Sequence, residues 1–297
     1  MTARVAVLGS GSSGNATLLQ VAGRGLLIDC GFSPRDLLIR FQSIGLSWSN
    51  VNAVLLTHTH GDHWNRYVLE QICRLKIPLI AHPKHHVALS HCDEYVQLMK
   101  AGLAHNYTSA PFTLGGLLRV QPIEVHHDSE PTFAFRIGQT LPDCQTWSYG
   151  HASDLGCVSD ALRNAFQGVD VLALEFNHDV QLERASKRPR HLVQRVLSDY
   201  GHLSNDQAAG ALKEWVDAGE PCELQSVIAL HLSRDCNRPE LAIAAAAAAA
   251  PQSNIYVATQ TQATPMITIM PHEPRMKNHR PPAQKQSVQG TLLDQIG

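Results

Sequence analysis

Thr57-His58-Thr59-His60-Gly61-Asp62-His63 is the stretch on which the fold turns. It follows Val51-Asn52-Ala53-Val54-Leu55-Leu56, a short apolar run bounded on its N-terminal side by the polar segment 47–50. Such a run reads as a buried strand. Residues 64–75 after it carry apolar side chains at helical spacing. The histidines therefore lie at a strand end, on the turn into a helix. Side chains there converge above the sheet edge while the backbone is held at both ends. Imidazoles and carboxylates packed into residues 58–63 suit a divalent metal of the zinc type, which takes neutral imidazole nitrogen and carboxylate oxygen. The competing reading is a solvated turn, because the chain has 17 histidines and a lone His-x-His says little. His-x-His-x-Asp-His at the end of a buried strand says much more.

Outward from this centre, the N-terminus reads as a strand at Arg4–Leu8 followed by Gly9-Ser10-Gly11-Ser12-Ser13-Gly14. That is a G-x-G-x-x-G pattern, with Asp29 near where a ribose-binding acid would stand. The dinucleotide reading fails on context. Residues 16–21, 23–25 and 26–29 read as strand, tight turn and strand, which leaves no room for the helix that receives a pyrophosphate. The glycines instead suit a tight loop near the active site. Ser33-Pro34 opens a helix to about Ser43, with Ser as N-cap and Pro at the first helical position.

Further along, strands are expected at 78–82, 117–125, 132–137, 145–149, 169–175, 226–230, 255–258 and 266–269, and helices at 84–91, 189–200, 205–218 and 239–250. Several of these strands end alike: His126-His127-Asp128, His151-Ala152-Ser153-Asp154, Glu175-Phe176-Asn177-His178-Asp179 and His231-Leu232-Ser233-Arg234-Asp235. In layered α/β folds ligands bind at strand ends, so repeated acid and imidazole groups there form a constellation.

Composition sets bounds. An apolar fraction of 44% supports a sizeable core, and a net charge of −2 provides no global basic field, so a nucleic-acid partner needs a local patch. The 7 cysteines are scattered with no Cys-x-x-Cys pair, which suits reduced thiols in a cytoplasmic protein. No signal peptide is legible, and no apolar run approaches a membrane span. From Pro271 the chain is polar and rich in Pro and Gln. The expected organisation is one domain over 1–270 and a disordered tail over 271–297.

Taken together, these residues resemble the metallo-β-lactamase superfamily over roughly 4–270, and the resemblance implies its αββα sandwich, an α/β fold. On that resemblance Asp29 braces the metal loop; His58, His60 and His127 hold one metal, Asp62, His63 and His231 the other, and Asp154 bridges them. His126 competes with His127 for its place. His60 stands where diiron oxidoreductase relatives carry Glu, which favours a hydrolase with two zinc or manganese ions. Cys157 is not placed like the cysteine ligand of the true β-lactamases. Ser10–Asn15, His126–Pro131, Leu174–Asp179, Gly201–Ala209 and His231–Asn237 are similar to the YycJ/WalJ-type branch, regarded as 5′→3′ DNA exonucleases. Glu175 with His202-Leu203-Ser204 also resembles the tRNA 3′-processing endonucleases, where a Glu orients a His that protonates the leaving oxygen.

Two metals about 3.5–4 Å apart clamp a phosphodiester and activate a bridging water as hydroxide. Asp62 would orient that nucleophile, and His202 held by Glu175 would protonate the leaving oxygen. The plain reading of His202 is a residue at a helix start, beside the better cap Ser204. His178 either touches phosphate or is structural. Arg184, Lys187, Arg188, Arg190 and Arg195 form the dense basic cluster ahead of the tail, and Arg234 neighbours His231. These arginines and the lysine either contact DNA phosphates or make a solvated face. No aromatic stacking ladder is evident. The reading is a metal-dependent DNA exonuclease. Its rivals are an enzyme for a small phosphodiester or cyclic nucleotide, a glyoxalase- or lactonase-like hydrolase, and a non-catalytic metal-stabilised binding protein.

Overall fold

A computed structural model describes residues 2–128, 131–141, 145–218 and 224–273. In chain order the strands are β1 (Ala3–Gly9), β2 (Ala16–Val21), β3 (Arg24–Ile28), β4 (Val51–Leu55), β5 (Leu79–Ala81), β6 (Ala104–Asn106), β7 (Phe112–Leu114), β8 (Leu118–Val125), β9 (Thr132–Thr140), β10 (Thr146–Ala152), β11 (Val171–Glu175), β12 (Ser226–Leu230), β13 (Asn254–Val257) and β14 (Ile267–Ile269). The helices are α1 (Pro34–Ser43), α2 (Arg66–Arg74), α3 (Pro83–Leu89), α4 (Asp93–Lys100), α5 (Asp160–Phe166), α6 (Val180–Arg184), α7 (Arg190–Val196), α8 (Asn205–Ala218) and α9 (Pro239–Ala249).

The strands form two mixed sheets, ordered β14-β1-β2-β3-β4-β5-β6 and β13-β12-β11-β10-β9-β8-β7. In each sheet one half is antiparallel and the other parallel: β3, β4, β5 and β6 run together, as do β10, β11, β12 and β13. Inward residues such as Val5, Val7, Ile28, Leu55, Phe133, Phe135, Trp147, Tyr149 and Ile228 fill the space between the sheets. Outward residues of the first sheet pack on Leu37 and Phe41 of α1, on Val68, Leu69 and Ile72 of α2, and on Tyr95 and Leu98 of α4. Those of the second sheet pack on Phe166 of α5, Leu212 and Trp215 of α8, and Ala242, Ala246 and Ala249 of α9. The layers are helices, sheet, sheet, helices: the αββα sandwich that the resemblance implied. Central strands are buried on both faces, which is why β11 and β12 read as continuous apolar runs.

Most elements stand where sequence pattern placed them. Ser33 caps α1, its Oγ accepting from the Asp36 N–H at 3.2 Å, with Pro34 following. Differences fall on short elements. The helix expected over 189–200 ends at Val196; the chain then turns, and the His202 N–H returns to the Val196 carbonyl at 3.0 Å. The pattern missed α4, α5, α6, β6 and β7, each too short for its apolar spacing to repeat often enough to be read. Beyond β14, His272 bridges to Thr146. The tail expected from 271 lies, from 274 onward, outside the described residues.

The site is built where both sheets end on the same side. Residues 29, 57–63, 126–128, 153–154, 176–178 and 231 follow strands, and Glu175 is the last residue of β11. The two sheets are tied there: the Phe133 N–H donates to the Thr57 carbonyl at 3.1 Å, and the Ser10 N–H donates to the Thr259 carbonyl at 3.1 Å.

Candidate metal centre

The metal loop is braced from beneath by Asp29. Its carboxylate accepts from the Thr57 N–H at 2.8 Å and from the Thr57 hydroxyl at 2.8 and 3.0 Å. It also takes the His63 Nδ1 at 2.7 Å. With its proton given to Asp29, Thr57 Oγ1 is free to accept from His58 Nδ1 at 3.0 Å. The opposite side of the loop is held by Asn15, whose N–H donates to the Asp62 carbonyl at 2.7 Å and whose Nδ2 lies 3.2 Å from Asp62 Oδ2. The glycine-rich loop is therefore a clamp on the metal motif, as the failed dinucleotide reading left it. Gly31 completes the clamp, for a Cβ there would lie 1.8 Å from the Asp62 carbonyl oxygen.

The Nδ1 atoms of His58, His63, His127, His202 and His231 each have a partner, which leaves Nε2 as the other donor atom. His63 Nδ1 is on Asp29, and His127 Nδ1 donates to the Gly201 carbonyl at 2.9 Å. His231 Nδ1 and His202 Nδ1 both reach Glu175 Oε1, at 3.0 and 2.8 Å. Such outer contacts set the tautomer and aim the lone pair of a metal-binding histidine. Asp154 is central: its oxygens lie 3.0 Å from His63 Nε2, 3.3 Å from His231 Nδ1 and 3.9 Å from His127 Nε2. Asp62 Oδ2 stands 3.5 Å from His231 Nε2. Asp29, Asp154 and His231 hold left-handed backbone, with φ of 59°, 57° and 54°. Such strain at non-glycine residues collects where side chains must be aimed.

Among the described residues four groups of potential ligands share members: His58, His60 and His127; Asp62, His63 and His231; His58, His63 and Asp154; and Asp154, Glu175, His202 and His231. His58 Nε2 and His231 Nε2 are buried without a hydrogen bond, a costly arrangement that a cation would relieve. Electrostatics agree. Burial drives the His58 imidazolium well below its ordinary pKa, with His63 adding to the effect. For His63 burial acts downward too, yet Asp29 and Asp154 overcome it and hold the pKa at about 10. Asp154 is buried, which alone would raise its pKa, but His231 and His63 hold it well below the usual carboxylate range. Imidazoles, carboxylates and two nitrogens without hydrogen bonds around one point fit divalent metal. The open side is marked by His60, Asp62 and His202, whose side chains are 32%, 20% and 23% exposed, whereas His63 is wholly covered.

The structure brings all seven expected ligands, Asp29, Glu175 and His202 to one place. It also separates His126 from His127: His126 is exposed, and His127 is buried among His58 and His60. Three expectations need correction. His178 is fully buried, with its backbone bridging Ser204, so it cannot reach a substrate phosphate. Arg188 is half-buried and bound to the buried Glu183 at 3.2 Å, so it is a structural partner. Arg195 pairs with Asp128. Arg184, Lys187, Arg190 and Arg234 remain exposed. Sequence reasoning missed Thr57 and the rim residue Asp128; their only signal was adjacency to His58 and His127. Cys30, Cys73, Cys92, Cys157 and Cys236 are free thiols among the described residues. No helix among them is long and apolar enough to cross a membrane.

This geometry defines a metal-binding αββα hydrolase fold. The model of the β-lactamase superfamily domain matches residues 24–219. The chain belongs to that superfamily, as a metal-dependent hydrolase. It is 29% identical over 239 residues to exodeoxyribonuclease YycJ of Bacillus anthracis, covering 80% of this chain and 84% of the relative. It is 28% identical over 240 residues to exodeoxyribonuclease WalJ of Streptococcus pneumoniae, covering 80% and 85%. Among solved structures, a diphosphatase of the PhnP family superposes with a TM-score of 0.62 at 18% identity, covering 91% of this chain and 98% of that one.

Proposed function

We propose that the protein is a two-metal phosphodiesterase acting on DNA, an exonuclease. The observation that carries this reading is the Glu175–His202 pair, 2.8 Å apart at the open edge of the ligand cluster. Cleaving a phosphodiester releases a sugar alkoxide, a poor leaving group that needs a proton. His202 is oriented by Nδ1–H donation to buried Glu175, which leaves Nε2 to hold the proton that the leaving oxygen receives. Burial lowers the His202 pKa, but Glu175 raises it more, so the net shift is upward and favours the protonated donor. Thioester or lactone hydrolysis gives this pair less to do. The names of the two relatives matched over most of their length add weight to DNA.

Zinc or manganese ions held by His58, His60 and His127, by Asp62, His63 and His231, and by Asp154 between them would supply Lewis acidity and an activated water. Asp62, partly exposed and 3.5 Å from His231 Nε2, would orient the attacking water. As the P–O bond to the sugar breaks, His202 Nε2 gives its proton to the departing oxygen. Arg184, Lys187, Arg190 and Arg234 are the exposed cations offered to the DNA backbone. Reduced thiols fit a cytoplasmic setting, and residues 1–270 would act as one domain.

The test is metal-supplemented cleavage of end-labelled single- and double-stranded DNA beside bis-p-nitrophenyl phosphate, with wild type and Asp62→Ala. Asp62-dependent release of mononucleotides from one end is the expected result. Turnover of the small diester with DNA left intact would overturn the nuclease reading in favour of a small phosphodiester substrate.

A further inference from the structure

Beside the metal centre an aromatic pair has no part in ligand binding or proton donation. The rings of His126 and Tyr200 stack with centroids 5.8 Å apart and planes inclined by 23°. Both residues are exposed, Tyr200 by 58%. Exposed loop aromatics usually move freely, but these two are anchored through their backbones. The His126 carbonyl accepts from the Gly156 N–H at 2.9 Å, and the Tyr200 carbonyl accepts from the Asp128 N–H at 3.2 Å. Arg195 pins Asp128 in turn. The turn that carries Tyr200 is tight: a Cβ on Gly201 would lie 2.2 Å from the Arg195 carbonyl oxygen.

The anchoring ties the pair to the chemistry. His126 precedes the ligand His127, and Tyr200 stands two residues before the proton donor His202. The carbonyl between them, that of Gly201, accepts from His127 Nδ1 at 2.9 Å. The His127 and His202 rings are 5.0 Å apart. A shift of the backbone that carries the pair would therefore disturb His127 and His202 together.

A π-face held rigid and open to solvent beside a phosphodiester site suits a nucleobase, because every base has a π-face to lay on it. We infer that the Tyr200–His126 stack is a base platform. It receives, on the Tyr200 face turned away from His126, the base of the nucleotide on the leaving-group side of the scissile phosphate. That side follows from the two-residue link between Tyr200 and His202. The inference rests on the phosphodiesterase reading for its placement of the base. It supplies the aromatic contact that the linear sequence did not reveal, and it carries no sequence preference.

The experiment measures binding without turnover. Metal-loaded protein is titrated into a fluorescein-labelled phosphorothioate oligothymidylate and into an abasic oligomer of the same length and linkage, read by anisotropy. Wild type and Tyr200→Phe should prefer the base-bearing strand by ~10-fold. Tyr200→Leu, which keeps bulk but removes the aromatic face, and His126→Ala should lose that preference while affinity for the abasic strand stays level. A wild type without preference, or a Tyr200→Leu protein that keeps it, overturns the platform. Equal losses on both strands also overturn it, since they indicate only a structural turn. Failure of the wild type to cleave ordinary DNA would overturn the nuclease reading alone, because the base preference is read independently.

Discussion

Asp29 Oδ2 lies 2.7 Å from His63 Nδ1, with both groups buried under the metal loop. The contact would fix the tautomer of His63 as a metal ligand, with Asp29 acting from behind the ring. Replacing Asp29 by Ala should lower metal affinity by roughly 10–100-fold, measured by competition with a chromophoric chelator. Because Asp29 and Asp154 hold the His63 pKa at about 10 against its burial, the empty site keeps a proton that metal must displace. Loading should therefore release protons, and apparent affinity should climb as pH rises from about 6 to 8. Affinity flat over that interval would refute the linkage.

His202→Ala should cut kcat on DNA by roughly 10²–10⁴-fold, the usual worth of a positioned general acid. Turnover of a p-nitrophenyl ester should change far less, because p-nitrophenolate leaves without a proton. The folded pKa of His202 is raised above the ordinary 6.5, so the donor is charged below that shifted value and lost as pH rises through it. Wild-type kcat on DNA should accordingly fall on the basic side. Glu175→Gln removes the carboxylate that raises the pKa and should move that limb to lower pH. Equal losses on DNA and the activated ester would assign His202 a structural part.

Arg188 and Arg190 should behave oppositely despite their proximity in sequence. Arg188→Ala leaves Glu183, wholly buried, without its 3.2 Å partner. The expected cost is about 2 kcal/mol, below the usual figure for a broken buried pair because the arginine is 34% exposed. Urea denaturation would read it. Arg190→Ala should leave stability unchanged, raise KM for DNA and flatten its salt dependence by about one phosphate contact.

His151 is buried with its Nδ1 2.9 Å from the Tyr149 hydroxyl, and burial presses its pKa down to about 4. The unfolded chain takes that proton near 6.5, so the unfolded state binds more protons between the two values. Stability is present above the unfolded pKa and drains away as pH falls toward the folded one, by ~3 kcal/mol at most. The difference in Tm between wild type and His151→Gln should thus shrink from pH 7 to pH 5. A constant difference would show that His151 is not the group that titrates.

Much of the site was legible because its signals are local. Strand, turn and helix are read from adjacent residues, and the chelating spacing of His58, His60, Asp62 and His63 lies within one turn. Asp154, Glu175 and His231 were visible as polar residues just past apolar runs, since a parallel strand buried on both faces must put its polar side chains at its end. Short elements such as α4 and α5 were not legible, for their burial comes from the sheet beneath them and leaves too little periodicity of their own.

Long-range pairing was beyond linear reading. His178, Arg188 and Arg195 looked like neighbours of an open site, yet one is buried and the others are claimed by Glu183 and Asp128. Conversely, His126 and Tyr200 carry no common motif, and only the turn after α7, closing on the end of β8, stacks them. The residues able to bind metal were determined by chemistry carried in each short segment. Which charges stay free and which aromatic faces stay open was decided by packing, because burial and partners come from chain segments far apart in sequence.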